Sequence, residues 1–307
     1  MTVAGCNNQN NNPSNTTSNE LQNVNINVGC LNGPSGFSMA KMLTDNAHYN
    51  LSLAASPDII TTSLISGELD IAALPVNLAA TLYNQTENKF KIIAVTGLGN
   101  IYLMSSKNVD DIKQLEGKTI VVAGKGATPE YAIMNILEKS GVNAELEFKP
   151  PAEVAAAAIA GQADFILIPE PFVTQIMNQS EDMKVVFDVN ELWENYNDGK
   201  ELLMTCVVAR LDFIDANKVA VDKFLDNLKS SIEFCGQNHT ETAELAVELG
   251  MMENAQIAKK AILNSAVTFI SGNEMKEKAV NFLSLLYETE PKSIGDEVPD
   301  DGFYYNR

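Results

Sequence analysis

Arginine is almost missing from this 307-residue chain: Arg210 and Arg307 are the only two, and the second is the last residue. Any anion site must therefore rest mostly on backbone N–H groups, hydroxyls or lysine. The formal net charge of −19 excludes a nucleic-acid partner, whose binding depends on clustered Lys and Arg. Histidine is as scarce. His48 and His239 stand apart from each other, and neither reads as the partner of a cysteine in a Cys–His catalytic pair or in a metal-ligand motif. No catalytic residue, metal ligand or cofactor is assigned on these grounds. Beyond Cys6, the cysteines Cys30, Cys206 and Cys235 are odd in number and widely spaced. Cys30 and Cys206 fall in apolar strand contexts, which suit small buried thiols. No stretch approaches the ~18 consecutive apolar residues that a membrane span needs.

What is present is the composition of a globular protein, 45% hydrophobic and 20% charged. One nine-residue pattern occurs twice. Gly67-Glu68-Leu69-Asp70-Ile71-Ala72-Ala73-Leu74-Pro75 is followed a domain later by Gly161-Gln162-Ala163-Asp164-Phe165-Ile166-Leu167-Ile168-Pro169. Each reads as a helix ending at glycine, an acidic residue, a strand buried on both faces, and a proline where the strand stops. Two such units predict two α/β lobes on one plan, with the proline-bearing strand ends facing a cleft.

Around these units the periodicity predicts strands at 24–29, 51–55 and 91–95, and helices at 37–45, from Ser56 to about Gly67, and 77–83. Ser56 is a good N-cap, with Pro57 at the first helical position and Asp58 in the first turn. A strand at 101–105 crosses into the second lobe. There strands at 119–123, 145–149, 165–168 and 184–188 alternate with helices at 129–140, 152–160 and 171–178. A strand at 204–209 returns, and helices follow at 216–235, 241–249, 255–263 and 274–287. The expected organisation is a first lobe of 24–102 plus 205–307, with a second lobe of 103–204 inserted. Two crossings between the lobes form a short hinge. Tyr304 and Tyr305 read as a disordered end, and the acidic stretch 295–302 as a solvated loop.

Residues 1–23 differ from the rest. Asn7 to Asn19 is an uncharged Asn/Ser/Thr/Gln tract unable to bury enough surface to fold. Before it, Val3-Ala4-Gly5-Cys6 resembles the lipobox of a bacterial lipoprotein, with Cys6 as the lipidated residue and the tract as a tether. The alternative is a chance Ala-Gly-Cys in a tail.

Several further motifs carry a resemblance. They are Ser66-Gly67-Glu68-Leu69-Asp70-Ile71-Ala72 with Asn77-Leu78-Ala79-Ala80, Leu115-Glu116-Gly117-Lys118-Thr119-Ile120, Gly124-Lys125-Gly126-Ala127-Thr128-Pro129-Glu130-Tyr131 and Ile168-Pro169-Glu170-Pro171-Phe172. With the topology and the lipobox-like start, they resemble the solute-binding lipoproteins of ABC importers, nearest the nitrate/sulfonate/taurine and thiamine-precursor type. The resemblance spans about 24–287. It implies a two-lobed, type 2 periplasmic-binding-protein fold and clamshell closure on a small solute without chemistry. It further implies delivery to the transmembrane subunits of a permease, and a monomer lipid-anchored at the extracellular face of the bacterial cytoplasmic membrane.

In such a fold the ligand meets loops at the carboxyl ends of strands. Pro34, Ser35 and Phe37 belong to the first such loop, where glycines admit a close approach, Ser35 offers a hydroxyl and Phe37 a wall. Gly126, Ala127 and Thr128 form the corresponding loop of the second lobe, whose free N–H groups suit an oxyanion or polar edge, as in related sulfonate binders. Glu130 departs from that pattern. Facing the cleft it disfavours a bare anion and favours an amine or amidine; otherwise it complements the helix dipole. Glu170 receives ligand N–H groups or caps the helix after it. Pro75 and Asn77 hold the equivalent place in the first lobe, Asn77 as ligand contact or N-cap. Ser56 fits the same pattern, although capping explains it, and Tyr102 and Thr205 near the crossings line the floor or pack as strand core. The favoured ligand is pyrimidine-like rather than a sulfonate. The rival readings are an enzyme on the same bilobal fold, with Glu170 as its one nameable acid, and a ligand-sensing effector module.

Overall fold

The Gly- and Pro-bounded apolar runs become the central strands of two sheets in the computed structural model, which describes residues 24–307. Cys6 and the expected tether lie outside the described residues. The first sheet begins with β1 (Ile26–Leu31), short helices α1 (Pro34–Phe37) and α2 (Ala40–Asp45), and β2 (Tyr49–Ala54). Next come α3 (Pro57–Ser66), β3 (Ile71–Pro75), α4 (Val76–Gln85) and β4 (Phe90–Leu98). The chain then crosses to a second sheet through β5 (Ile101–Ser105). That sheet adds β6 (Thr119–Ala123), α5 (Thr128–Ser140), β7 (Glu145–Lys149), α6 (Pro151–Ile159) and β8 (Phe165–Pro169). It ends with α7 (Phe172–Gln179), β9 (Lys184–Asp188) and α8 (Val189–Tyr196). Strand β10 (Leu203–Arg210) returns to the first sheet, followed by α9 (Leu211–Ala216), α10 (Lys218–Gln237), α11 (His239–Glu248), α12 (Ala255–Asn264), β11 (Val267–Ile270) and α13 (Gly272–Thr289).

The strand orders are β11-β4-β10-β3-β1-β2 and β7-β6-β8-β5-β9. In the first sheet β1 pairs in parallel with β2 and β3, while β10 runs antiparallel between β3 and β4. In the second, β6 pairs in parallel with β7 and β8, while β5 runs antiparallel between β8 and β9. Each sheet thus takes one antiparallel strand straight from a crossing. This is the mixed α/β, two-lobed architecture that the repeated unit predicts.

Because side chains alternate along a strand, β3 feeds two cores. Ile71 and Ala73 join Val28, Cys30 and Phe224 on one face. Ala72 and Leu74 join a core on the other face that continues into the second lobe, through Ile120, Ile133 and Trp193. Trp193 meets Phe282 of α13 with ring centroids 5.7 Å apart. A third core, with Val121, Ile166, Ile168 and Ile176, covers the outer face of the second sheet. The three described cysteines are free and buried.

Four local expectations are corrected. The helix expected over 37–45 is broken at Ser38–Met39 into α1 and α2. Ser56 stands at the N-cap of α3 but makes no side-chain cap bond. Helices α8 and α9 and strand β11 are additional elements, of eight, six and four residues. The C-terminus is no loose tail: Phe303, Tyr304 and Tyr305 are buried, Phe303 packs on Tyr83 at 5.1 Å, and Tyr304 bridges to Ile92. Aromatic burial, rather than the acidic residues around it, decides where that segment goes.

Candidate functional site

Both repeated strands are buried along their length and half-buried only at the closing proline, so each delivers its next polar side chain to the same kind of place. In the first lobe this residue is Asn77. It lies inside α4, whose N-cap is Pro75, and is therefore not the cap expected of it. Its side chain is fully buried and reaches across the cleft. Nδ2 donates to the Gly126 carbonyl (3.1 Å) and the Ser293 carbonyl (3.2 Å), while Oδ1 accepts from the Thr128 hydroxyl (3.2 Å).

In the second lobe it is Glu170, only 2% exposed. The carboxylate accepts from the Thr174 N–H (3.1 Å) and hydroxyl (2.9 Å), which caps α7. It also accepts from the Asn264 amide (2.8 Å), which comes from the end of α12 in the first lobe. Tyr102 donates its phenol to the Asn264 carbonyl (3.2 Å), and Lys260 reaches Asn178 (2.7 Å) at the rim. Gly33, at φ +96°, lies where an added Cβ would stand 3.2 Å from Pro171 Cδ. Each repeated strand end therefore touches the other lobe.

Electrostatics separate the two ends. Burial pushes the Glu170 carboxyl above the ordinary carboxylate range, partly offset by the hydrogen bonds from Asn264 and Thr174. Burial, with the charges of Asp188, Glu170 and Glu191, pushes the Tyr102 phenol up to about 12, so it stays a donor. At the other end the loop 124–128 is not an open cradle. Its Gly126 N–H donates to the Glu130 carboxylate and its Ala127 N–H to the Gly124 carbonyl (3.3 Å). Glu130 thus stands where an oxyanion was expected, and Lys125 points elsewhere, over the Phe148 ring at 5.8 Å.

Of the residues singled out from sequence, Pro75, Asn77, Gly126, Ala127, Thr128 and Glu130 gather at one end, with Tyr102 and Glu170 at the other. Thr205 pairs with Pro75 and packs beside Gly97 at the return crossing. Ser35 is tied to the Leu31 carbonyl (2.9 Å), and Pro34 is half-buried beside it. Phe37 is fully buried in the first-lobe core, so it serves packing and not a cleft wall. No hydrogen bond among the described residues joins Ser56 to either group. Asn264 and the Ser293 carbonyl were missed, the first because it ends an ordinary amphipathic helix, the second because a backbone oxygen leaves no mark in sequence. Thr96 Oγ1 and Asn100 Oδ1, buried at the end of β4 and in the first crossing, have no hydrogen-bond partner among the described residues. Nor is any group of three or more His, Cys, Asp or Glu there placed to hold a metal ion.

The two sheets and the chain crossings between them define a two-lobed, periplasmic-binding-protein-like fold. An ABC-transporter protein from Parabacteroides distasonis is 26% identical, with a TM-score of 0.80 over 93% of this chain and 99% of that one. The aliphatic sulphonate-binding protein SsuA of Escherichia coli superposes with a TM-score of 0.72 at 15% identity, covering 92% of each chain. The nitrate-binding protein NrtA of Synechocystis gives 0.63 at 15% identity, covering 88% of each. No curated protein matches the chain. The family model described as menaquinone biosynthesis matches residues 26–284, and the chain belongs to that family.

Proposed function

We propose that this protein is the extracellular solute-binding component of an ABC importer, capturing a small polar or heteroaromatic organic solute by lobe closure and passing it to a permease. The observation that carries this reading is the reciprocal contact of the two repeated strand ends, Asn77 with Gly126 and Thr128, Glu170 with Asn264. Contacts made only when the lobes are together are what shifts an open population toward a closed one. The P. distasonis protein, an ABC-transporter component by name, supports the same role. The lobes in this reading are 24–102 plus 205–307 and 103–204, the chain is a monomer, and Cys6 carries the lipid anchor.

The solute class follows from charge. Gly126 N–H is already taken by Glu130, and Glu170 adds a second carboxylate. Both arginines are engaged elsewhere, Arg210 with Asp212 and Arg307 with Asp226. The nearby lysines are turned away from a bare sulfonate, Lys125 to the Phe148 ring and Lys260 to Asn178, whereas a pyrimidine-like solute bearing N–H donors and ring acceptors suits carboxylates, hydroxyls and amides.

The family description favours a second reading, an enzyme of a biosynthetic route. Such an enzyme needs an acid or base with a positioned partner. Glu170 is the buried acid of the cleft, but its bonds go to Thr174 and Asn264, neither of them a base.

Thermal unfolding against pyrimidine and thiamine precursors, alkylsulfonates, nitrate and small aromatic acids tests both. A solute at a hundred times its Kd adds about 2.7 kcal/mol, a rise of several degrees. We expect a shift with pyrimidine-type compounds that Asn77→Ala combined with Thr128→Ala lowers at least tenfold in affinity. Mass spectrometry of the incubated solute should show it unchanged; conversion would establish the enzyme, and a shift with sulfonates alone would overturn the solute class.

A further inference from the structure

Among the described residues only two carboxylate side chains are buried, Asp70 and Glu170. Asp70 stays within one sheet, accepting the Asn27 N–H at 2.9 Å. Glu170 is different: its partners come from both lobes, Thr174 from its own and Asn264 from the other, and neither is charged. Around it β5 contributes the phenol of Tyr102, which is turned to the Asn264 carbonyl. The first crossing contributes the Asn100 carbonyl, which accepts the Glu170 N–H at 3.1 Å. Lys260 of α12 is engaged with Asn178, and the first-lobe loop brings uncharged Gly33 against Pro171. Among the described residues no ion pair reaches this carboxylate, whose bonds are those from Thr174 and Asn264.

We propose that closing the lobes takes up a proton at Glu170, so that the closed form gains on the open form as pH falls. Parting the lobes withdraws Asn264 and lets water solvate the carboxylate; closing reverses this and penalises the charged form. Burial is the larger influence on this group, and the bonds from Asn264 and Thr174 only partly offset it. The proton has a place to go. Glu170 Oε1 lies 2.9 Å from the Thr174 hydroxyl, which can turn from donor to acceptor without moving either lobe.

The sign follows by linkage. Above the raised, closed-state pKa the carboxylate is ionised in both forms and closing carries the full desolvation cost. Below the open-state value it is protonated in both, and that cost is gone. Between the two values the closing equilibrium gains up to about tenfold per pH unit fall.

Small-angle X-ray scattering of the full chain from neutral pH into the carboxylate range reads lobe closure directly. It uses no solute, so a failed solute panel leaves it intact; only the parting of the lobes is shared with the reading above. Every acid on the surface titrates too, and Glu170→Gln carries that same background. The wild type is expected to contract through a step that Glu170→Gln lacks, the variant staying at one radius across the window. A step of equal size in Glu170→Gln, or a wild type without one, overturns the proposal.

Discussion

The two copies of the repeated unit occupy the same place in their sheets and yet differ at nearly every contact. Strand β3 has parallel β1 on one side and antiparallel β10 on the other; β8 has parallel β6 and antiparallel β5. Both are buried through four residues and half-buried at proline. Inside, however, the first copy carries Ala72-Ala73 where the second carries Ile166-Leu167. The neighbour explains it. Beside Ala72 stands Gly29, where a Cβ would meet Leu69 Cδ1 at 2.4 Å and Ala72 Cβ at 3.3 Å, whereas Ile166 and Leu167 pair with Val121 and Val122. In the first lobe Leu69 fills the space from outside the strand; in the second the strand residues fill it themselves. Burial on two faces fixes the pattern of the unit, and the local neighbours choose the volumes.

The largest test of that likeness is to remove the last apolar residue of each copy. Leu74 and Ile168 are both fully buried, and Leu74→Ala or Ile168→Ala should each cost about 2–5 kcal/mol. They sit in different cores: Leu74 in the one that continues between lobes, Ile168 in the one confined to the second sheet. Trp193, the single tryptophan, lies in the shared core and reports both. If the shared core makes the lobes unfold together, urea unfolding followed by Trp193 fluorescence moves to lower midpoint in both variants. A midpoint unmoved by Ile168→Ala would mean that the two copies belong to separately unfolding units.

A smaller difference lies at the glycines that open each copy. Gly67 and Gly161 adopt φ +82° and +67°, where an L side chain is strained by about 1 kcal/mol. At Gly161 an added Cβ meets nothing within 4 Å, but at Gly67 it would lie 2.5 Å from Arg210 Nη1. That guanidinium is forked onto Asp212 by two bonds of 3.0 Å. Gly67→Ala should therefore lose more stability than Gly161→Ala. Arg210→Ala should remove the excess in a double-mutant cycle; an excess that survives would point to backbone strain instead.

These pairs also show what was legible beforehand. A strand buried on both faces writes an unbroken apolar run between Gly and Pro, so β3 and β8, the lobes they head and the polar residues just beyond them could be read directly. Helix α8 carries Val189, Leu192, Trp193 and Tyr196 at helical spacing, but over eight residues that period is too short to stand out, and its packing on α13 and the shared core shows only in the structure. The C-terminal aromatics looked like a tail because their partners, Tyr83 and Ile92, lie more than two hundred residues earlier in the chain. The cleft was half visible for the same reason. Asn77, Thr128 and Glu170 stand at strand and helix ends where pattern points, but the bond from Asn264 spans 94 residues and leaves no local trace. Only the tertiary structure shows that Glu130 has taken the N–H expected to be free.

A last comparison distinguishes the two aspartates that the repeat makes look equivalent. Asp70 exchanges bonds with β1: its N–H donates to the Asn27 carbonyl at 2.9 Å, and its carboxylate accepts the Asn27 N–H at 2.9 Å. Removing that carboxylate leaves a partly buried N–H without a partner, a loss of about 1–3 kcal/mol. Asp164 instead faces outward, meeting Ser106 Oγ at 3.1 Å and Lys107 Nζ at 3.2 Å, with both members of the ion pair more than half exposed. Its carbonyl, which accepts from Ser105 and Ser106, survives any change of side chain. Asp164→Ala should therefore stay within about 0.5 kcal/mol of the parent, while Asp70→Ala falls well below it. Asp70→Asn separates the causes, because it keeps an acceptor and loses only the charge. Recovery of most of the stability by Asp70→Asn assigns the difference to the hydrogen bond. Equal losses for Asp70→Asn and Asp70→Ala would assign it to charge, and equal losses for Asp70→Ala and Asp164→Ala would show that the two copies are alike after all.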